Sequence, residues 1–212
     1  MTDSQAQIIR MFRDGGGSRP EVALVRTAGG EAVRKDFNRC SRWFALFLGP
    51  LLARRESAAL RRLRGLEGVP ELVQGGGRRV VLMRHVDGKP PLVARGRREW
   101  EEFFRRLEAL IAGMHRRGVA HGDLRNPNNI LVDAAGNPFL VDFVTSYTLR
   151  SRRNFFSSWV FRKMSQVDRS AVVKLKLWKL PDSVGAEEIR KSEQHPLLEK
   201  SVRFAARVAR VL

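Results

Sequence analysis

The sequence has little cysteine, little acid and no long apolar run, and each shortage narrows what it can be. The single cysteine, Cys40, cannot close an internal disulfide. That excludes a disulfide-stapled scaffold and points to a reducing compartment. A small half-buried filler is its expected role. Only 22 Asp and Glu stand against 40 Lys and Arg, a formal charge of +18. Such an excess favours an anionic partner: nucleic acid, a phospholipid surface or a heavily phosphorylated ligand. The longest uncharged apolar run, Trp43 to Leu52, is too short to span a bilayer and is interrupted by Gly49-Pro50. Met1 to Gln7 is polar with no apolar core after it, so no secretory leader is expected. No Cys/His spacing suggests zinc. The expectation is a cytoplasmic protein, at most peripheral to the inner face of a membrane.

What is present is enough for a compact core: 212 residues, 43% of them hydrophobic. There is no internal repeat. The glycine clusters Gly15 to Gly17 and Gly75 to Gly77 are loop-sized. Glu21 to Arg26 reads as a strand, Ala28-Gly29-Gly30 as a turn, and Glu31 to Phe37 as a strand pairing back. From Leu51 the period becomes helical, with Leu52, Glu56, Ala59, Leu60 and Leu63 on neighbouring faces until Gly65 to Pro70 stops the run. Arg79 to Met83 reads as a buried strand. Trp100 to Arg117 is the clearest helix: Trp100, Phe103, Phe104, Leu107, Leu110, Ile111 and Met114 form one apolar stripe. Arg116, Arg117 and Gly118 suit its C-terminus. Ile130 to Val132 and Phe139 to Val141, separated by the turn-rich Asp133 to Pro138, predict a hairpin. Thr145 to Leu212 reads as mainly helical. The order predicts an α+β, two-lobed fold.

The informative segment is His121-Gly122-Asp123-Leu124-Arg125-Asn126-Pro127-Asn128-Asn129-Ile130-Leu131-Val132, followed by Leu140-Val141-Asp142-Phe143. It resembles the catalytic loop and metal-binding loop of the protein-kinase superfamily. The likeness runs upstream in order, from about Val22: Lys35 in a strand, Glu56 on the next helix, and Leu82 to Gly88 as a hinge. It implies one kinase-like domain over 1–212, with a small β-rich N-lobe to about 83, a hinge at about 84–88 and a short, mainly helical C-lobe from 89.

The resemblance also implies roles. Phosphoryl transfer needs positioning and charge neutralisation more than covalent help from the protein. Lys35 would hold ATP phosphates and Glu56 would fix Lys35. Met83, Arg84, His85 and Val86 would face the nucleotide, and Gly16, Gly17 and Ser18 are the only candidates for a phosphate-covering loop. Asp142 and an asparagine would carry Mg²⁺, which takes hard oxygen ligands. The usual spacing selects Asn128, whereas the hairpin register selects Asn129; the reading taken is Asn129, with Asn128 the alternative. Asp123 would accept the acceptor's proton. Taken alone, Lys35 reads equally as a solvated strand lysine, Glu56 as a surface residue and the glycine triplet as a plain turn. His121 is expected to brace the loop through backbone, His85 to belong to the hinge, and His115 and His195 to lie at the surface or boundary.

Several positions depart from the family pattern. Gly122 stands before the catalytic Asp where protein kinases carry arginine, Val144 replaces the glycine after Asp-Phe, and residues 144–212 hold no Ala-Pro-Glu. These features look like minimal kinases: the RIO family, the KEOPS-associated kinase and bacterial lipopolysaccharide-core kinases. The leading expectation is therefore an ATP- and Mg²⁺-dependent phosphotransferase acting on a sugar or glycolipid hydroxyl of lipopolysaccharide-core type at a membrane. An atypical Ser/Thr protein kinase of RIO or KEOPS type is the alternative, and a non-catalytic ATP- or membrane-binding scaffold the second. Nucleic acid is disfavoured, because the basic residues form no recognisable reading helix or aromatic sheet. Two acid-free stretches remain. Arg39 to Arg55 carries Trp43, Phe44 and Phe47. Thr145 to Met164 carries Phe155, Phe156, Trp159 and Phe161 with Arg150, Arg152, Arg153, Arg162 and Lys163. Either their aromatics are buried between lobes, or they form an interfacial patch for anionic lipid.

Overall fold

The computed structural model describes residues 7–73, 75–92, 95–151 and 153–193. Four antiparallel strands open the chain: β1 (Gln7–Arg13), β2 (Glu21–Thr27), β3 (Gly30–Asp36) and β4 (Val80–Arg84), in the order β1-β2-β3-β4. The predicted β2–β3 hairpin forms in full, from Glu21 opposite Asp36 to Thr27 opposite Gly30. Gly30 makes the turn possible with φ of 105°, a region that L side chains avoid.

Helix α1 (Gly49–Arg62) lies between β3 and β4 in sequence. It begins earlier than the sequence period suggests, because a turn of π-helix over Phe44–Leu48 feeds directly into it. Pro50 does not interrupt this run, since it sits in the first turn of α1, where an N–H is not needed. The inner face carries Leu52, Ala53, Glu56, Ala59 and Leu60 into the core, as the period predicts.

Helix α2 (Arg97–Arg116) is the centre of the lower half. Glu99 accepts the Gly96 N–H at 2.8 Å and so ties off the start of the helix. All seven residues of the predicted stripe are buried. Each such side chain contributes about 1.5–3 kcal/mol by leaving water, before the entropy of ordering it. The helix stops where Gly118 takes φ of 74°. Beyond it come β5 (Val119–Ala120), the hairpin β6 (Ile130–Val132) and β7 (Pro138–Leu140), β8 (Tyr147–Thr148) paired with β5, and helices α3 (Phe155–Lys179) and α4 (Ala186–Glu193). Asn154 caps α3 by accepting the Ser157 N–H at 2.9 Å. The predicted helical reading of 194–212, His195 and Arg152 lie outside the described residues. Among the described residues no helix is long and apolar enough to cross a membrane.

Candidate active site

Strand β3, helix α1 and the chain after β7 meet at one buried cation. The Lys35 Nζ donates to Glu56 Oε1 at 2.8 Å and to Asp142 Oδ1 at 2.9 Å. Lys35 is buried and Glu56 fully so, so neither is the surface residue it could have been. Burial pushes the Lys35 ammonium toward neutrality, but the Asp142 and Glu56 carboxylates outweigh it and hold its pKa above the usual value. Burial raises the Glu56 carboxyl, with Asp142 adding to the rise and Lys35 opposing it. Glu56 Oε1 also accepts the Phe143 N–H at 3.2 Å. Asp142 reaches Lys35 from a left-handed backbone, φ 65° and ψ 68°, and is the only non-glycine described residue with positive φ. Such a conformation costs of order 1–3 kcal/mol and persists only where its surroundings impose it.

The loop between β5 and β6 holds Asp123. Asn129, buried, donates its Nδ2 to the Asp123 backbone oxygen at 2.9 Å and to Asp123 Oδ2 at 3.1 Å. Its own carbonyl oxygen accepts the Val141 N–H at 3.0 Å, one residue from Asp142. Asn129 thus holds Asp123 directly and pairs through its backbone with the residue before Asp142. Asn128 is exposed, its N–H turned back to Asn126 Oδ1 at 3.2 Å, although both asparagines line the cleft. Pro127–Asn129 form a short 3-10 turn that leads into β6.

His121 braces this loop as expected. It is fully buried, one ring nitrogen 2.9 Å from the Val141 carbonyl and the other accepting the Asp123 N–H at 3.3 Å. The second contact makes Nδ1 an acceptor, so Nε2 carries the proton. Gly122 also has its reason. Its φ is 82°, and a Cβ there would strike Met164 and approach the Thr145 carbonyl at 3.2 Å. An arginine at that position would strain the backbone and push Met164 aside.

The anchor of the loop was not anticipated. Asp168, on α3 and fully buried, accepts the His121 N–H and the Gly122 N–H, both at 2.8 Å, and lies 2.9 Å from His115 Nε2. His115 is therefore not a surface histidine; α3 covers it. Arg55 is the second residue missed: its guanidinium donates to the Thr145 and Ser146 carbonyls and fixes the chain beyond Asp142.

A cleft of about 630 Å³ lies between the sheet and this loop. Lys35, Asn129 and Asp142 line it, and so do the predicted hinge residues Met83, Arg84, His85 and Val86. The Arg84 and His85 N–H groups are taken by the Glu71 and Glu31 carbonyls at 2.8 and 3.2 Å. Gly16, Gly17 and Ser18 form the β1–β2 turn, closed by paired backbone bonds between Gly16 and Arg19 and tied to Ser41 N–H through the Gly17 carbonyl. They do not line the cleft; Phe12, Arg13 and Val22 of the same hairpin do. The arrangement is a hard-oxygen and lysine site at the floor of a cleft, suited to a polyanion with a cation.

The sequence model of the RIO domain matches residues 33–157, from β3 to the first turn of α3. The chain belongs to the RIO-domain family. It shares the kinase-like fold of the Rio2 kinase from Chaetomium thermophilum, at a TM-score of 0.60 and 18% identity over 95% of this chain and 72% of that one. The same enzyme's ADP/Mg²⁺-phosphoaspartate complex matches at a TM-score of 0.58 and 19% identity, over 94% of this chain and 67% of that one. A curated relative, CBL-interacting protein kinase 16 of Oryza sativa subsp. japonica, is 36% identical over 97 residues, 42% of this chain. The RIO-domain chain spans 21% of that relative's length. The two-lobed α+β architecture expected from sequence is the one found.

Proposed function

We propose that the chain is an ATP- and Mg²⁺-dependent kinase of RIO type that phosphorylates a protein hydroxyl, working as one unit hinged at 84–88. The observation that carries this reading is Lys35 bridging Glu56 and Asp142 at the floor of the cleft. The donor set fits the cofactor. Asp142 and Asn129 offer one carboxylate and one amide oxygen, and Mg²⁺ usually takes few protein ligands and completes its shell with phosphates and water. When bound, magnesium-ATP supplies the transferable phosphoryl group. Lys35 neutralises phosphate charge, Glu56 holds Lys35 in place, and Asp123 takes up the proton of the attacking hydroxyl, oriented by Asn129.

A protein acceptor is preferred to the lipopolysaccharide-type acceptor expected from sequence, because the family is the RIO domain and the curated relative is named a protein kinase. A second reading puts the phosphoryl group on an aspartate of the site, in line with the Rio2 phosphoaspartate complex. Asp142 is the aspartate it would use, because its carboxylate lies 2.9 Å from the Lys35 ammonium that would hold the phosphates. Transfer from labelled ATP separates the two, since an acyl phosphate is lost in hydroxylamine and a Ser or Thr phosphate is not. Asp123→Asn should lower transfer to a protein hydroxyl by about a hundredfold or more with ATP affinity little changed. Near-normal transfer in that variant rules out Asp123 as the proton acceptor.

A further inference from the structure

Two surface stretches are aromatic, basic and free of acid, and the cleft uses neither. In the first, the π-turn and the start of α1, Trp43 is 75% exposed, Phe47 62% and Leu51 58%. The Trp43 and Phe47 rings stack with centroids 5.6 Å apart. In the second, the start of α3, Phe155 is 78% exposed and Phe156 71%, with Phe156 and Trp159 stacked at 6.2 Å. No Asp or Glu occurs from Phe37 to Arg55 or from Phe143 to Val167. Burial, one of the two readings open from sequence, holds for Phe44, which is in the core, and in part for Phe161, half-buried against His115, but not for Trp43, Phe47, Phe155 and Phe156.

Lone exposed apolar residues are ordinary, but concentration is not. Trp43, Leu46, Phe47, Leu51, Phe155, Phe156 and Trp159 are seven of the thirteen large exposed hydrophobics among the described residues. The two stretches are also tied to one connecting segment. Arg55 of α1 holds the Thr145 and Ser146 carbonyls, and Tyr147 shares a 2.9 Å hydrogen bond with Ser157 at the start of α3. Beside the first stretch a groove of about 890 Å³ opens between α1 and β4. Phe47 and Leu51 lie on its α1 side and Leu72, Val81 and Leu82 on the other; among the described residues Arg54, Arg61, Arg64 and Arg78 are its only charged lining residues, and no Asp or Glu lines it. None of these four guanidinium groups pairs with a carboxylate among the described residues.

We propose that these two stretches and the groove dock on an anionic lipid bilayer. The rings and leucines enter the headgroup layer, and the groove arginines take lipid phosphates. Single-stranded nucleic acid would use the rings and cations but leave Leu46 and Leu51 in water, because stacking rewards only π-faces. An acidic protein segment would fill the groove and leave Phe155 and Phe156 without a partner. A bilayer accepts all of them, with aromatics at the interface and cations drawn to anionic headgroups.

The test is sedimentation of the whole chain, without nucleotide, against vesicles of phosphatidylglycerol mixed with phosphatidylcholine and of phosphatidylcholine alone. Binding to the anionic vesicles at low salt should exceed binding to the neutral ones at least tenfold and weaken as salt rises. The triple variant Trp43→Ala, Phe47→Ala, Leu51→Ala and the triple variant Arg54→Glu, Arg61→Glu, Arg64→Glu should each bind at least tenfold more weakly, with melting temperatures near that of the wild type. Wild type that ignores anionic vesicles overturns the proposal. So do two triple variants that bind like wild type, which would place the binding on other residues. A clear preference for a single-stranded oligonucleotide or polyglutamate over vesicles overturns it as well. No readout depends on catalysis, so loss of transfer activity in Asp123→Asn leaves this result untouched.

Discussion

Lys35 is the residue on which the site depends, because it answers two carboxylates at once. Desolvation opposes its charge, yet Asp142 and Glu56 raise its pKa above the ordinary lysine value. A raised pKa means that its contribution to stability is fully present below the unfolded value of 10.5 and is lost only as pH climbs past the folded value. At neutral pH the contribution is intact. Lys35→Met should therefore cost about 3–5 kcal/mol, since it leaves Glu56 buried and facing Asp142 with no cation. The loss should shrink in acid, because Glu56, whose carboxyl burial already raises, protonates there and sheds its unpaired charge. Melting curves of wild type and variant across pH check both claims, and a gap that widens in acid would contradict the assignment. The two asparagines separate at the same scale. Asn129→Ala removes the contact to Asp123 and should lower Mg²⁺-dependent turnover by at least tenfold more than Asn128→Ala, whose side chain lies at the exposed rim. The opposite ranking of the two turnover numbers would make Asn128 the metal-facing residue.

Elements differ in how far their own sequence reveals them. Helix α2 carries its whole burial stripe within 20 residues, so period alone defines it. The β6–β7 hairpin is equally legible, since turn formers separate two short apolar runs and the pairing places Ile130 opposite Leu140. Helix α3 is legible as a helix but not as an anchor. Its one acid, Asp168, falls in phase with buried Met164, Val167, Ala171 and Val172. A lone carboxylate on the apolar stripe of a basic helix was the available signal. Its partners, His115 and the His121–Gly122 backbone, lie 46 to 53 residues earlier and meet it only through tertiary packing. For the same reason His115 looked like a boundary residue. Asp168→Ala should destabilise the protein by about 3–5 kcal/mol, because two buried N–H groups and a histidine lose their acceptor together. Asp168→Asn keeps the shape and one acceptor oxygen, so it should lose less stability while still slowing turnover through a loosened Asp123 loop. Equal melting temperatures for wild type and Asp168→Ala would show that the loop is held by other contacts.

At the scale of the whole molecule, the order strand, lysine, helix, glutamate, aspartate loop and second aspartate was readable along the chain. Its closure into one cleft was not, because Lys35 and Asp142 are 107 residues apart and share a hydrogen bond only in the fold. That closure makes a global measurement informative. A ligand that binds only the native state adds about 2.7 kcal/mol at a hundred times its dissociation constant. For a chain of this size each kcal/mol raises the melting temperature by roughly 2–4 °C, so saturating Mg-ATP should raise it by about 5–10 °C. The charge of +18 complicates the test, since any polyanion can stabilise such a protein without using the site. Three comparisons remove that ambiguity. Inorganic triphosphate at the same concentration carries similar charge but lacks the base that Met83 to Val86 are proposed to face, so it should give a smaller shift. Adding Mg²⁺ should increase the ATP shift in the wild type if, as proposed, Asp142 and Asn129 offer the ion its oxygens. In Asp142→Asn, the Mg²⁺-dependent increment should fall by more than half while the part due to ATP alone remains. If triphosphate matches ATP and the increment survives in Asp142→Asn, the stabilisation comes from the basic surface, and the cleft is not the nucleotide site.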